Sequence, residues 1–278
     1  MGKSTLSPAE IYQTWVDTGE KKGNLPVGKM LFLGILAGLF IGFGAHADII
    51  IMQTLGETVD VGLAKFLGAA VFPVGLMLVI LAGAELFTGN NLMTLAVVSK
   101  KITMTQMMLN WVVVYIGNFI GSILLAGILV KSGLYNGEAV STMAVGIATG
   151  KVGITVSQGI LRAILCNVIV VLACWMQAGS KDMVGKIFII WFPIMLFVLS
   201  GYEHSIANMF FIPLGKFLGA NITWAQIWLN NLIPVTIGNI IGGAIIIPFI
   251  YHYIYSAKKD APVDENYAVK KTSVIESN

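Results

Sequence analysis

Charge is what this sequence most lacks. Only 11% of its 278 residues are Asp, Glu, Lys or Arg, against about 25% in an ordinary soluble domain, and that leaves too little polar surface for a water-soluble globule. The formal net charge of +3 comes from dispersed lysines and provides no basic stripe of the kind nucleic-acid binding requires, so no nucleic-acid partner is expected. Cysteine is limited to Cys166 and Cys174. Eight residues of helix would separate them by about 12 Å, beyond the roughly 7 Å reach of a disulfide, and both are expected as packing residues. Histidine is also sparse, with no His/Glu spacing of the HExxH kind and no nucleophile–base pair, so neither an enzyme nor a metal or cofactor is expected. No apolar run occurs in residues 1–28, so the expectation is that no signal peptide is removed and the first apolar segment remains in the mature chain.

Apolar length is what the chain has. Hydrophobic residues make up 56% of it and the mean hydropathy is +0.83. Runs near the roughly 20 residues needed to span a bilayer occur at Met30–Ile51, Phe66–Leu86, Met107–Val130, Ile160–Met176, Ile187–Ser200 with an extension to Leu218, and Trp228–Tyr253. The reading is an all-α membrane protein with six transmembrane helices. Six crossings put both termini on one side, and twelve lysines lie on that side (Lys3, Lys21, Lys22, Lys29, Lys100, Lys101, Lys181, Lys186, Lys258, Lys259, Lys270, Lys271) against four opposite (Lys65, Lys131, Lys151, Lys216). The bias places both termini in the cytoplasm.

Residues 1–28 form a cytoplasmic segment in this reading. Ser7-Pro8-Ala9-Glu10 is a helix-start signal, and Ile11 and Trp15 share a face, which suggests a short interfacial helix with Trp15 at headgroup level. Residues 29–256 are the transmembrane domain. Residues 257–278 mix charge, Pro262, Ser and Thr without periodicity and are expected to be disordered.

The second and fifth spans meet polar clusters midway, and the clusters align without a gap. Leu81-Ala82-Gly83-Ala84-Glu85-Leu86-Phe87-Thr88-Gly89-Asn90 falls on Leu199-Ser200-Gly201-Tyr202-Glu203-His204-Ser205-Ile206-Ala207-Asn208. Ile116-Gly117-Asn118-Phe119-Ile120-Gly121 falls on Ile237-Gly238-Asn239-Ile240-Ile241-Gly242, and Asn110 on Asn231. Two three-helix halves, about 29–131 and 152–256, would therefore face opposite ways, because three is odd. An inverted repeat with corresponding polar breaks points to a transport site near the midplane. The Gly117/Gly121 and Gly238/Gly242 pairs have the spacing of close helix packing.

Ionisable groups at membrane depth are functional candidates by default. Glu85 and Glu203 occupy equivalent positions and are expected to hold the broken turns by accepting freed amides, with Asn90 and Asn208 capping the resumed helices. His204 has no counterpart, since Leu86 takes its place; an imidazole at a break suits hydrogen bonding or protonation of a small anion. Lys151, in a connecting loop, could raise local anion concentration. His46 and Asp48 read as interfacial residues, and Arg162 as a helix-end or subunit-contact residue.

These residues resemble the formate/nitrite transporter family of bacterial and archaeal anion channels. The matching wording is Phe72-Pro73-Val74-Gly75-Leu76 leading to Gly83–Asn90, then Cys166-Asn167, Gly201–Met209 and Ile233–Asn239, over about Ser7 to Tyr253. The resemblance implies an aquaporin-like protomer with broken second and fifth helices, a homopentamer with one pore per subunit, and the cytoplasmic membrane of a prokaryote. It implies His204 as the central pore histidine faced by Thr88, Leu86-Phe87 in the loop at the second-helix break, Asn167 and Lys151 along the path, and apolar constrictions from Leu76, Leu86, Phe87, Phe72, Val170 and Phe197. Substrates would be small weak-acid anions, formate first and nitrite or hydrosulfide next, with protons as a second candidate partner. A neutral-solute channel competes on architecture, although the paired Asn-Pro-Ala boxes of aquaporins are missing.

Overall fold

A computed structural model describes residues 5–256, so the tail 257–278 and the lysines at 3, 258, 259, 270 and 271 lie outside the described residues. In chain order the helices are α1 (Pro8–Gly23), α2 (Val27–Met52), α3 (Val61–Gly83), α4 (residues 87–98), α5 (Met104–Lys131), α6 (Glu138–Gly153), α7 (Val156–Ala178), α8 (Met183–Leu199), α9 (Ser205–Phe217) and α10 (Trp224–Tyr255).

Local chemistry sets the boundaries. Ser7 and Glu10 form a reciprocal capping box at α1, with the Ser7 amide donating to Glu10 Oε2 at 2.7 Å. The same device opens α5 (Thr103/Gln106), α7 (Thr155/Gln158) and α10 (Thr223/Gln226), in each case just before an apolar run. Among the described residues, five helical segments are long and apolar enough to cross a membrane: Val27–Thr58, which begins with α2, then α3, α5, α7 and α10. The expected fifth span is divided. α8, an apolar helix of 17 residues, stops at Leu199 and α9 begins at Ser205.

α3 behaves similarly at its end. It widens into π-helical turns over Leu78–Gly83, and the chain then runs extended to Leu86 before α4 starts. Both interruptions contain a glycine in the left-handed region, Gly83 at φ +91° and Gly201 at φ +68°, which a side chain with a Cβ adopts only at a cost.

Two helix pairs make the closest backbone contacts. α5 lies on α2 through Gly117 and Gly121, where a Cβ would meet the Leu31 and Ile35 carbonyls; α10 lies on α7 through Gly238 and Gly242, against the Ile160 and Ile164 carbonyls. The packing role expected of these glycines holds. The α1 helix departs from expectation. Its Ile11, Tyr12, Trp15 and Val16 are buried against the protein, and Tyr12 bonds Ser99 at 2.8 Å and His252 Nδ1 at 2.6 Å. Trp15 is thus buried inside the molecule, because α1 finds an apolar partner in α4 and α7. Cys166 and Cys174 are free and buried, as packing residues should be. Large apolar side chains face outward along α2, α5, α7, α8 and α10, among them Phe32, Val112, Leu161, Phe188 and Leu229, as lipid contact requires.

A Cβ at Gly201 would meet nothing within 4 Å, so Gly201→Ala carries only the conformational penalty of a positive φ, about 1–2 kcal/mol. Gly127, inside α5 and equally unobstructed, provides the control: Gly127→Ala gains about 0.5–1 kcal/mol of helix propensity. Thermal unfolding in detergent should move in opposite directions for the two variants; a Gly201→Ala protein as stable as wild type contradicts the strained break.

Candidate functional site

Each interruption is enclosed by the same set of side chains. At the first, Asn118 from α5 accepts from the Phe87 amide through Oδ1 (3.0 Å) and donates through Nδ2 to the carbonyls of Glu85 (2.9 Å) and Gly34 (2.8 Å). At the second, Asn239 from α10 accepts from the Ser205 amide (2.9 Å) and donates to the carbonyls of Glu203 (3.0 Å) and Ala163 (2.9 Å). The new helix starts are therefore satisfied by asparagines from neighbouring helices. Asn90 and Asn208, expected to be the caps, do other work, because each lies a turn too far into its helix.

Glu85 and Glu203 are buried. The Glu85 carboxylate accepts from Lys22 Nζ at 2.6 Å and Asn90 Nδ2 at 2.6 Å, and Asn90 Nδ2 also donates to Asn110 Oδ1 at 2.8 Å. Glu203 accepts from Lys151 Nζ at 3.2 Å and Asn208 Nδ2 at 2.6 Å, and Asn208 Nδ2 donates to Asn231 Oδ1 at 2.8 Å. Asn110 and Asn231 close the loops by donating to the carbonyls of Lys22 (3.3 Å) and Lys151 (2.8 Å). The glutamates thus take lysine and asparagine donors instead of freed amides. A buried carboxylate needs a cation and further hydrogen bonds to offset desolvation, and here it has both.

Lys151 departs from its expected place as well. It lies in α6, not in a loop, and is ion-paired. Its counterpart Lys22, read from sequence only as one of twelve lysines on the terminal side, lies near the end of α1. The correspondence therefore reaches upstream of the 29–131 and 152–256 boundaries: the lysine, glutamate and asparagine contacts made among α1 to α5 recur among α6 to α10. Positions on α1 and α2 map to α6 and α7 with an offset of 129, carrying Lys22 to Lys151 and Gly34 to Ala163. Thr103 maps to Thr223 but Asn110 to Asn231, a one-residue slip that the π turn at Ile227–Leu232 absorbs.

Three cavities line up between these networks. The first, about 330 Å³, opens beside α1 and includes Trp15, Lys22, Glu85, Asn90 and Gln177. The second, about 150 Å³, opens beside α6 and includes Asp48, Lys151, Glu203, His204 and Asn208. Between them is a gap of about 10 Å³ walled by Ile41, Phe72, Leu76, Leu86, Val170, Ile194, Phe197 and His204. Phe72 meets Phe197 edge-on at 5.6 Å, and Phe197 stacks on the His204 ring at 5.7 Å. Ile41 and Ile194 were not singled out from the sequence; both are ordinary apolar residues until the fold places them in one wall with Val170 and Leu76.

His204 is 3% exposed and caps α9. The Ala207 amide donates to its Nδ1 at 3.1 Å, so Nδ1 carries no proton. The ring proton then belongs on Nε2, which lies 2.8 Å from Thr88 Oγ1 and donates to it. Thr88 keeps its own O–H for a further acceptor. Asn167 lies behind Thr88, donating to the Thr88 carbonyl (3.4 Å), Asn91 Oδ1 (2.8 Å) and the Asn239 carbonyl (2.8 Å). Phe87 turns away from the gap and packs edge-on to Tyr115 (5.0 Å) and Trp111 (5.8 Å), because Asn118 holds its amide against α5. His46 Nδ1 pairs with the Tyr135 hydroxyl at 2.9 Å, and the Arg162 carbonyl accepts the Glu203 amide at 3.5 Å. Asp48 faces the second cavity instead of an open interface.

Apolar helices of spanning length around matched polar networks define a multi-spanning helical membrane protein, of the class whose homologues are channels and transporters rather than enzymes. The sequence profile described as formate/nitrite transporter matches residues 9–253, and the chain belongs to that family. It is 43% identical over 272 residues to a "Probable formate transporter" of Methanothermobacter thermautotrophicus, covering 92% of this chain and 99% of that one. It is 35% identical over 276 residues to "Formate channel FocA" of Escherichia coli (strain K12), covering 92% and 96%. Among solved structures, a "Pentameric formate channel with formate bound" superposes with a TM-score of 0.75 at 31% identity, covering 82% of this chain and 97% of that one.

Removing Lys151 alone leaves the Glu203 carboxylate buried without its cation, a loss of about 3–5 kcal/mol. Lys151→Met should therefore lower the melting temperature in detergent more than Lys151→Met combined with Glu203→Gln. Strictly additive losses would show that the two side chains are not coupled.

Proposed function

We propose that this protein moves formate across the cytoplasmic membrane through an axial path in each subunit of a homopentamer. In this reading the chain crosses six times with both termini cytoplasmic. α3–α4 and α8–α9 are the broken second and fifth spans of an inverted, aquaporin-like repeat. The observation that carries it is the pair of lysine–glutamate cavities meeting at an apolar gap walled in part by His204, which is hydrogen-bonded to Thr88. The formate-channel relatives supply the substrate, and the pentameric neighbour supplies the assembly.

The geometry suits a weak acid. In each mouth an ammonium group draws an anion in, while the paired glutamate keeps that charge from trapping it. The gap between has no charged group in its wall. An unpaired carboxylate there faces a desolvation cost of several kcal/mol even after relaxation. Protonating an acid of pKa about 4 at neutral pH costs only about 4 kcal/mol, at roughly 1.36 kcal/mol per unit. Passage as the neutral acid is the lower route. His204 serves it as a neutral imidazole: the amide capped at Nδ1 opposes a second ring proton, while Nε2–H and the Thr88 hydroxyl form a short donor relay toward the substrate. Asn167 holds the Thr88 backbone in place.

Labelled formate uptake into proteoliposomes tests the reading, with nitrite and hydrosulfide as parallel arms. Wild type should take up formate faster at mildly acidic than at neutral pH. Thr88→Val, which removes the relay hydroxyl, should slow uptake about tenfold or more, and His204→Asn should flatten the pH profile. Absence of formate flux from wild type, or a His204→Asn profile identical to wild type, overturns it.

A further inference from the structure

The two mouths are equivalent at every lysine, glutamate and asparagine of their networks, yet they do not carry the same charge. Under the 129-residue correspondence of α2 with α7, Asp48 falls on Gln177, and both side chains line their mouths. The α1 mouth contains one ammonium and one carboxylate, Lys22 and Glu85. The α6 mouth contains Lys151, Glu203 and a second carboxylate, Asp48. One is balanced and the other is negative by a full charge when Asp48 is ionised. That is unexpected in an anion's doorway.

The fold makes room for this carboxylate. Gly68 of α3 faces it, and a Cβ at that position would lie 2.5 Å from Asp48 Oδ1. We propose that Asp48 makes the α6 mouth a site that takes up a proton and a small carboxylate anion together, whereas the α1 mouth, with Gln177, takes the anion alone. The inference rests on the anion-transport reading above. With Asp48 ionised, the anion meets net negative charge and its occupancy beside Lys151 falls; with Asp48 protonated, the repulsion is gone and an O–H donor faces the anion. The proton comes from water on the α6 side and returns there when the anion leaves, so no bond to carbon is made or broken.

The other groups around Asp48 do not reproduce this difference. Lys151, Glu203 and Asn208 have counterparts in the α1 mouth. His204 and Tyr202 line the α6 mouth, and His204 is committed at both ring nitrogens. On its own helix, His46 is bonded to Tyr135. The remaining ionisable groups of the packed elements lie away from the cavity: Lys65 of α3 and Lys131 of α5 are exposed, Asp60 caps α3, and Lys216 of α9 binds the Ile222 carbonyl.

Formate flux in proteoliposomes sorted by an N-terminal tag, with each face's pH varied separately, tests the proposal. In wild type the half-saturating formate concentration at the α6 face should fall about three- to tenfold on mild acidification of that face, and less at the α1 face. Asp48→Asn should give the low value already at neutral pH and make the two faces alike. Gln177→Asp should move the added sensitivity to the α1 face, and it carries the test if Asp48→Asn fails to fold. Equal sensitivity of the two wild-type faces, or an Asp48→Asn profile like wild type, overturns the proposal while leaving formate transport intact. A wild type that moves no formate overturns the transport reading and this inference with it.

Discussion

The structure turns on two carboxylates buried where helices stop. Glu85 and Glu203 cannot be left unpaired out of water, and each is satisfied by a lysine from a separate helix and an asparagine from its own. That requirement dictates much of the rest. α1 and α6 must fold back over the mouths to deliver Lys22 and Lys151, α5 and α10 must supply Asn110 and Asn231 to lock those lysines' carbonyls, and the chain must leave helical geometry just before each glutamate. Gly83 and Gly201 permit that departure. Asn118 and Asn239 then restart the helices from outside, which keeps the irregular backbone satisfied where it is buried inside the protein.

Much of this was legible in the sequence because the constraint is periodic. Gly83, Glu85 and Asn90 recur as Gly201, Glu203 and Asn208 with no gap, since spacing within the break is set by backbone bonds that tolerate no insertion. The helix limits followed from capping boxes and apolar runs for the same local reason. The lysines were not legible as partners. α1 and α6 share few residues besides Lys22 and Lys151, because each buries a different surface: Trp15 on α1 corresponds to Ala144 on α6. Asn118 and Asn239 were visible as a repeated pair, but an acceptor on one helix that caps another is a tertiary fact. Asp48 read as interfacial because its depth, unlike its direction, is what hydropathy reports. Phe87 was misplaced for a related reason: adjacent to Leu86 and equally apolar, it is turned toward α5 by the bond at its amide.

The repeat also gives a way to separate scaffold from chemistry within one chain. Positions that keep the same residue type in both halves, the glutamates, the four asparagine and lysine partners of each network and the packing glycines, are those that hold two breaks open by one device. Positions that differ cluster along the axis. Leu86 stands where His204 does, Ile206 where Thr88 does, Gly38 where Asn167 does, and Gln177 where Asp48 does. An exact repeat would put the same residue at both members of each of these pairs. The His204 imidazole and the Thr88 hydroxyl come from opposite halves and meet at 2.8 Å, a contact that exists only because the halves diverged there. By that logic the residues that violate the internal symmetry, rather than those that obey it, are the ones the shared scaffold does not require.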